Sequence, residues 1–143
     1  LTAASQVILH IKNTSVDKSM VLTDVQMQTV GEVGVIPAVG MYWDLVLGAE
    51  ITGGDVQTPI NLNSNSGNQA EVDSKDGTPT VSVAGDVAFR IYPKLDGEIL
   101  KETFDEAIVL GPNGSLCVLY TTTGSAGVGV CNATFYMQPL GGV

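Results

Sequence analysis

The chain has 143 residues, 15 acidic and 6 basic side chains and a net charge of -9. That length suits one domain, read as spanning 1–143, with a flexible N-terminal few residues. The scattered Lys12, Lys18, Lys75, Arg90, Lys94 and Lys101 form no basic patch, which argues against a nucleic-acid partner, and no apolar run reaches the ~20 residues of a membrane-crossing helix.

Residues 6–12 alternate with Val7, Leu9 and Ile11 on one side, the pattern of a strand with one buried face. A polar turn follows at 13–17. Val21, Thr23, Val25 and Met27 then alternate with Leu22, Asp24, Gln26 and Gln28 as a second strand. Residues 31–40 read as a loop. The third strand is 41–47, with Trp43, Leu45 and Leu47 on one face, broken by Gly48 and by Gly53-Gly54. Residues 58–63 read as a short extended piece. The polar stretch 63–77 reads as a long exposed loop.

Strand patterns return at 80–83 and 87–92. Residues 97–107 suit either a helix or a strand, and their strand-rich surroundings favour extended structure. Residues 107–110 lead through Gly111-Pro112-Asn113-Gly114, a turn signal, into a strand at 115–121. A Gly-rich turn at 122–127 then precedes a strand at 128–137. With 17 glycines and no helical stretch between the strands, the pattern indicates an all-β chain, a single antiparallel β-sandwich.

A turn centred on Gly124 would make the last two strands a hairpin. Cys117 would then face Cys131, Val118 would face Val130, and Tyr120 would face Val128. One face would carry Cys117, Leu119, Cys131, Ala133 and Phe135. The other would carry Leu116, Val118, Tyr120, Val128, Val130 and Tyr136. Both faces are mainly apolar, whereas a solvated hairpin should have one polar face. Two explanations are open: an internal one, by central placement within the domain or a long loop lying over the outer face, or a second subunit packed on the outer face through Val118, Tyr120, Val128, Val130 and Tyr136. In this register Cys117 and Cys131 are either a cross-strand disulfide or two buried thiols.

Signals for chemistry are sparse. His10 is the lone histidine and sits in a strand, with no G-x-S-x-G elbow in the chain. No Cys lies at metal-clip spacing, and no phosphate-binding glycine loop is present. Glu71, Asp73 and Asp76 cluster in the polar stretch without an EF-hand pattern, as a solvated acidic loop would. Sequons occur at Asn13, Asn113 and Asn132. The chain starts at Leu1 with no signal-peptide pattern, as in a processed protein or a fragment.

The order and texture of the segments QVILHIKNTS, SMVLTDVQMQTV, MYWDLVLG, TPINLNSNSGNQAEV and DEAIVLGPNGSLCVLYTTTGSAGVGVCNATFYM, over residues 6 to 137, resemble the small jelly-roll proteins that decorate tailed-bacteriophage heads. The end of the chain is also similar to tumour-necrosis-factor-like and C1q-like jelly rolls, which are trimeric. The resemblance implies a jelly roll on the capsid exterior of a virion. It would be a homotrimeric cement protein that clamps the major capsid protein, with no catalytic residues, no cofactor and no metal. The alternative is a receptor- or glycan-binding head domain of a phage fibre or a secreted trimeric protein, using the 63–77 loop. A small β-sandwich hydrolase is a third reading, with His10 or a carboxylate as the residue to change.

Overall fold

The computed structural model describes residues 4–30, 41–60, 70–77, 79–93, 98–122 and 128–140. The expected loop at 31–40, most of the Gly-rich turn at 122–127, the first three residues and positions 61–69 of the polar stretch lie outside them. The described chain is all-β and antiparallel. Its strands are β1 (Ala4–Asn13), β2 (Lys18–Val30), β3 (Tyr42–Leu47), β4 (Glu50–Thr52), β5 (Asp55–Gln57), β6 (Val72–Asp76), β7 (Thr80–Val83), β8 (Asp86–Ile91), β9 (Ile99–Leu110), β10 (Ser115–Thr122) and β11 (Val128–Pro139). Within the ambiguous 97–107 segment the chain is extended from Ile99 onward, as its surroundings suggested. Its core-facing residues Leu100, Phe104 and Ile108 fall four apart, a spacing that suits a helix face and a strand face alike.

A six-stranded sheet has the order β5-β6-β1-β10-β3-β8, and a three-stranded sheet has the order β11-β2-β9. The two sheets enclose one core. Ile11, Trp43, Leu45, Leu116, Val118 and Tyr120 supply it from the larger sheet, and Met20, Leu22, Val25, Met27, Phe104 and Ile108 from the smaller. Each fully buried aliphatic side chain contributes about 1.5–3 kcal/mol. Trp43 lies against Tyr120 with ring centroids 4.8 Å apart. Phe89 meets Phe104 at 5.7 Å, bridging β8 of one sheet to β9 of the other.

Two bulges change the faces that simple alternation assigns. In β2, Met20 and Leu22 share the core with Val25 and Met27, so Val21 and Val25 point to opposite sides. The register slips at this point against both neighbours, between Leu22 and Asp24 and between Thr134 and Phe135. Thr23 Oγ1 donates to the Thr134 carbonyl at 3.0 Å there. An inserted residue of this kind reverses the face of everything beyond it. In β1 the register shifts between Val7 and Leu9. Leu9 and Ile11 therefore pack into the sandwich, while Val7 joins Val46, Ala49 and Cys117 on the outer side of the large sheet.

That outer side is roofed by the chain around Ala49 and by the β4–β7 ribbon, a two-stranded sheet. His10 Nε2 and Ser115 Oγ both donate to the Ala49 carbonyl, each at 2.8 Å. One oxygen thereby uses both lone pairs to hold the roof down. The polar stretch expected to be loop contains β6, paired with β1 on one side and β5 on the other. Val72 and Ser74 alternate inward between Asp73 and Lys75. Hydrogen bonding at the sheet margin makes a strand of a sequence whose polarity reads as loop.

At the corner between β1 and β2, Asn13 is fully buried. Its Nδ2 donates to the carbonyls of Lys18 and Leu110, both at 2.9 Å, and its Oδ1 accepts from the Ser15 amide at 3.0 Å. The sequon at this position is therefore a structural asparagine.

At Gly129 the two sheets approach closely. A Cβ placed there would stand 3.1 Å from Ile8 Cδ1 and 3.2 Å from Trp43 Cη2. Gly129→Val should cost about 1–3 kcal/mol by overpacking, whereas Gly111→Ala, which meets nothing within 4 Å, should stay within about 0.5 kcal/mol. Urea midpoints at unchanged slope measure both.

Candidate functional site

The final hairpin does not form. β10 has β1 on one edge and β3 on the other, so neither edge is open to β11, which pairs with β2 in the opposite sheet. Cys117 stands opposite His10 and Val46, and Cys131 stands opposite Met27. The cysteines belong to different sheets and both are free thiols. The disulfide alternative rested on a register that the topology does not allow.

The five residues assigned to an outer interface separate for the same reason. Val118 is 0% exposed and Tyr120 4%, both inside the sandwich. Val130 and Tyr136 are on the surface of β11, at 46% and 40% exposure, and Val128 pairs with Val30 at the start of that strand. The two apolar faces of β10 have an internal explanation. Leu116, Val118 and Tyr120 face the core, and Cys117 and Leu119 face the roofed side.

The acidic residues also disperse. Glu71 accepts from Lys18 Nζ at 3.0 Å, and this pairing raises the lysine pKa. Asp73 lies 3.9 Å from Lys75. Asp76 accepts from Gln57 Nε2 at 3.0 Å on the opposite face of β6. Among the described residues no group of three His, Cys, Asp or Glu side chains is placed to hold a metal ion. His10 is buried and occupied by the Ala49 carbonyl. Asn113 occupies a turn with φ of 66°, and Asn132 is exposed on β11.

Two surface features stand out instead. The first is a stretch of uncovered apolar side chains. All four residues of β7 are exposed, as are five of the six in β8. They include Val81, Val83, Val87 and Phe89, with Tyr92 just beyond. Beside them Arg90 makes a two-pronged ion pair with Asp44, at 2.7 and 2.9 Å, and lies 4.0 Å over the Tyr42 ring. The carboxylate hydrogen bonds push the arginine pKa further up, and the fork anchors edge strand β8 to β3.

The second feature is a groove of about 670 Å3. The large sheet extends past the small one on the side of β5 and β6, and the groove lies in that step. Its floor comes from β1 and from the inner faces of β5 and β6. Its wall is β11 from Gly129 to Ala133, with Phe135. Alternation in the sequence does not reveal an offset between sheets, so neither the groove nor its lining was legible there. The uncharged run of β11 was visible, but it was read as a hairpin strand.

No protein-family model, curated protein or solved structure matches this chain.

Burial pushes both thiols up to about 12 from an ordinary value of 9.0. The unfolded chain ionises them near pH 9 and the folded chain only near pH 12. Their contribution to stability is thus complete below pH 9 and is lost as pH rises towards 12. A Cys117→Ala/Cys131→Ala variant should show a shallower alkaline loss of stability than the parent, and at pH 8 the folded parent should react with a thiol reagent far more slowly than the urea-unfolded chain.

Proposed function

We propose that the chain is a non-enzymatic virion structural protein, a capsid decoration protein. On this reading it binds the outside of an assembled phage head as a homotrimer and clamps neighbouring copies of the major capsid protein. The observation that carries the proposal is the uncovered apolar surface of β7 and β8, in a chain whose charged residues make up only 15%. Contiguous exposed apolar surface marks interaction sites on soluble proteins, and a usual charged share is about 25%.

The strand order supports the jelly-roll part of the reading. Strands β1, β2 and β3 alternate between the two sheets, and so do β8, β9, β10 and β11. Alternation of this kind arises in double-sheet Greek-key folds, of which the jelly roll is one. The resemblance to head decoration proteins supplies the particle. A cement protein acts by mass action: it favours the assembled shell because it binds the shell and not its separated subunits.

Purified protein mixed with intact heads should co-sediment with them at a fixed ratio to the shell protein and should raise the temperature at which heads release their contents. A monomer with no affinity for heads would overturn the proposal. Val83→Asp on the ribbon and Val130→Asp on β11 change exposed positions, so each should alter folding stability by no more than about 0.5 kcal/mol. The variant that reduces the trimer to monomer in analytical ultracentrifugation locates the subunit contact.

A further inference from the structure

β11 is an edge strand of twelve residues, VGVCNATFYMQP. It carries no charged side chain, and its one proline is its last residue. Natural edge strands are normally protected by charge, proline, shortness or a covering element, because an open edge invites another strand. The other edges of the two sheets have such protection. β9 carries Lys101, Glu102 and Asp105, β8 carries Asp86 and Arg90, and β5 has three residues. Among the described residues β11 has only a bulge near Thr134. Its open edge looks into the groove over β5 and β6, where a further strand would have room.

Among the described residues, the one charged side chain that lines the groove, Asp76, has no basic partner, and Asp55 flanks it at the groove's margin beside Gly77. Asp55 stands directly opposite Asp76 in the β5–β6 register, on the inner face. Like charges in that position repel. Gln57 donates one hydrogen bond to Asp76, and among the described residues no Lys or Arg lines the groove.

We propose that this groove binds an extended segment of a partner protein, which adds to β11 as a further strand and sets a Lys or Arg against Asp55 and Asp76. Backbone hydrogen bonds to the β11 edge supply the affinity, and the paired carboxylates supply the selectivity. A second copy's β11 is a poorer occupant, because that strand carries no Lys or Arg to set against Asp55 and Asp76. The inference goes beyond head decoration and rests on the groove alone. Head binding can fail while the groove keeps its peptide preference.

The test uses fluorescein-labelled ten-residue peptides of alternating Thr and Val, with one Lys moved through the Thr positions, and a matched series carrying Glu. Anisotropy should show at least one Lys peptide binding about tenfold more tightly than its Glu twin, a ratio typical of a charge-assisted contact. Methylating alternate backbone nitrogens of that peptide should abolish binding. Hydrogen exchange should slow in β11 over residues 129–135. An Asp55→Asn/Asp76→Asn variant should keep β11 protection but lose the Lys preference. Equal binding of Lys and Glu peptides, an undiminished preference in the double variant, or protection at β8 or β9 in place of β11 would overturn the proposal. So would protection of β11 that grows with protein concentration in the absence of peptide, which would assign the edge to a second copy.

Discussion

The fold depends on the position of β10. All eight of its residues pair with β1 on one edge and six of them, Leu116 to Thr121, pair with β3 on the other, and the strand is covered on both faces. This placement joins the start of the chain to its last third: Ser5 Oγ and Thr121 Oγ1 are 2.8 Å apart across 116 positions of sequence. Such pairings close long loops before they gain contact energy, so the sandwich is not assembled by adding neighbouring hairpins in turn. With both edges of β10 occupied, the strand that follows cannot pair with it and enters the other sheet beside β2. The open edge of β11 is therefore a direct result of the saturation of β10.

Much of the strand content was legible because alternation and glycine turns are local signals. Trp43, Leu45 and Leu47 fall on one face, as their spacing indicates. Signals of that kind do not report which edge a strand will use. Gly111-Pro112-Asn113-Gly114 is a turn, with Gly114 N donating to the Gly111 carbonyl at 2.9 Å, but it carries the chain from one sheet to the other and makes no hairpin. The bulges in β1 and β2 were equally hidden. Val7, Leu9 and Ile11 alternate perfectly in sequence, yet one slipped residue sends Val7 to the roof and the other two to the core.

The surface features were less legible still. An apolar residue in a strand pattern is read as core, and nothing local separates Val83, which is exposed, from Val46, which is buried. That difference comes from the number of layers stacked over each strand. β3 has a sheet on one side and the ribbon on the other, whereas β7 belongs to the ribbon itself. The groove likewise arises because one sheet has six strands and the other three. Asp76 in its lining and Asp55 at its margin are brought opposite each other only when β5 and β6 pair.

Asn13 illustrates how much can rest on one amide. Both hydrogens of its side-chain nitrogen are directed at backbone carbonyls, those of Lys18 and Leu110, with no water between. Hydrolytic loss of ammonia would replace that donor with an anionic oxygen facing two acceptors, in a place with no solvent to screen it. Chemical ageing at this position would unfasten the corner where β1, β2 and β9 meet, and a preparation would then lose its native fraction by a slow covalent clock unrelated to heat.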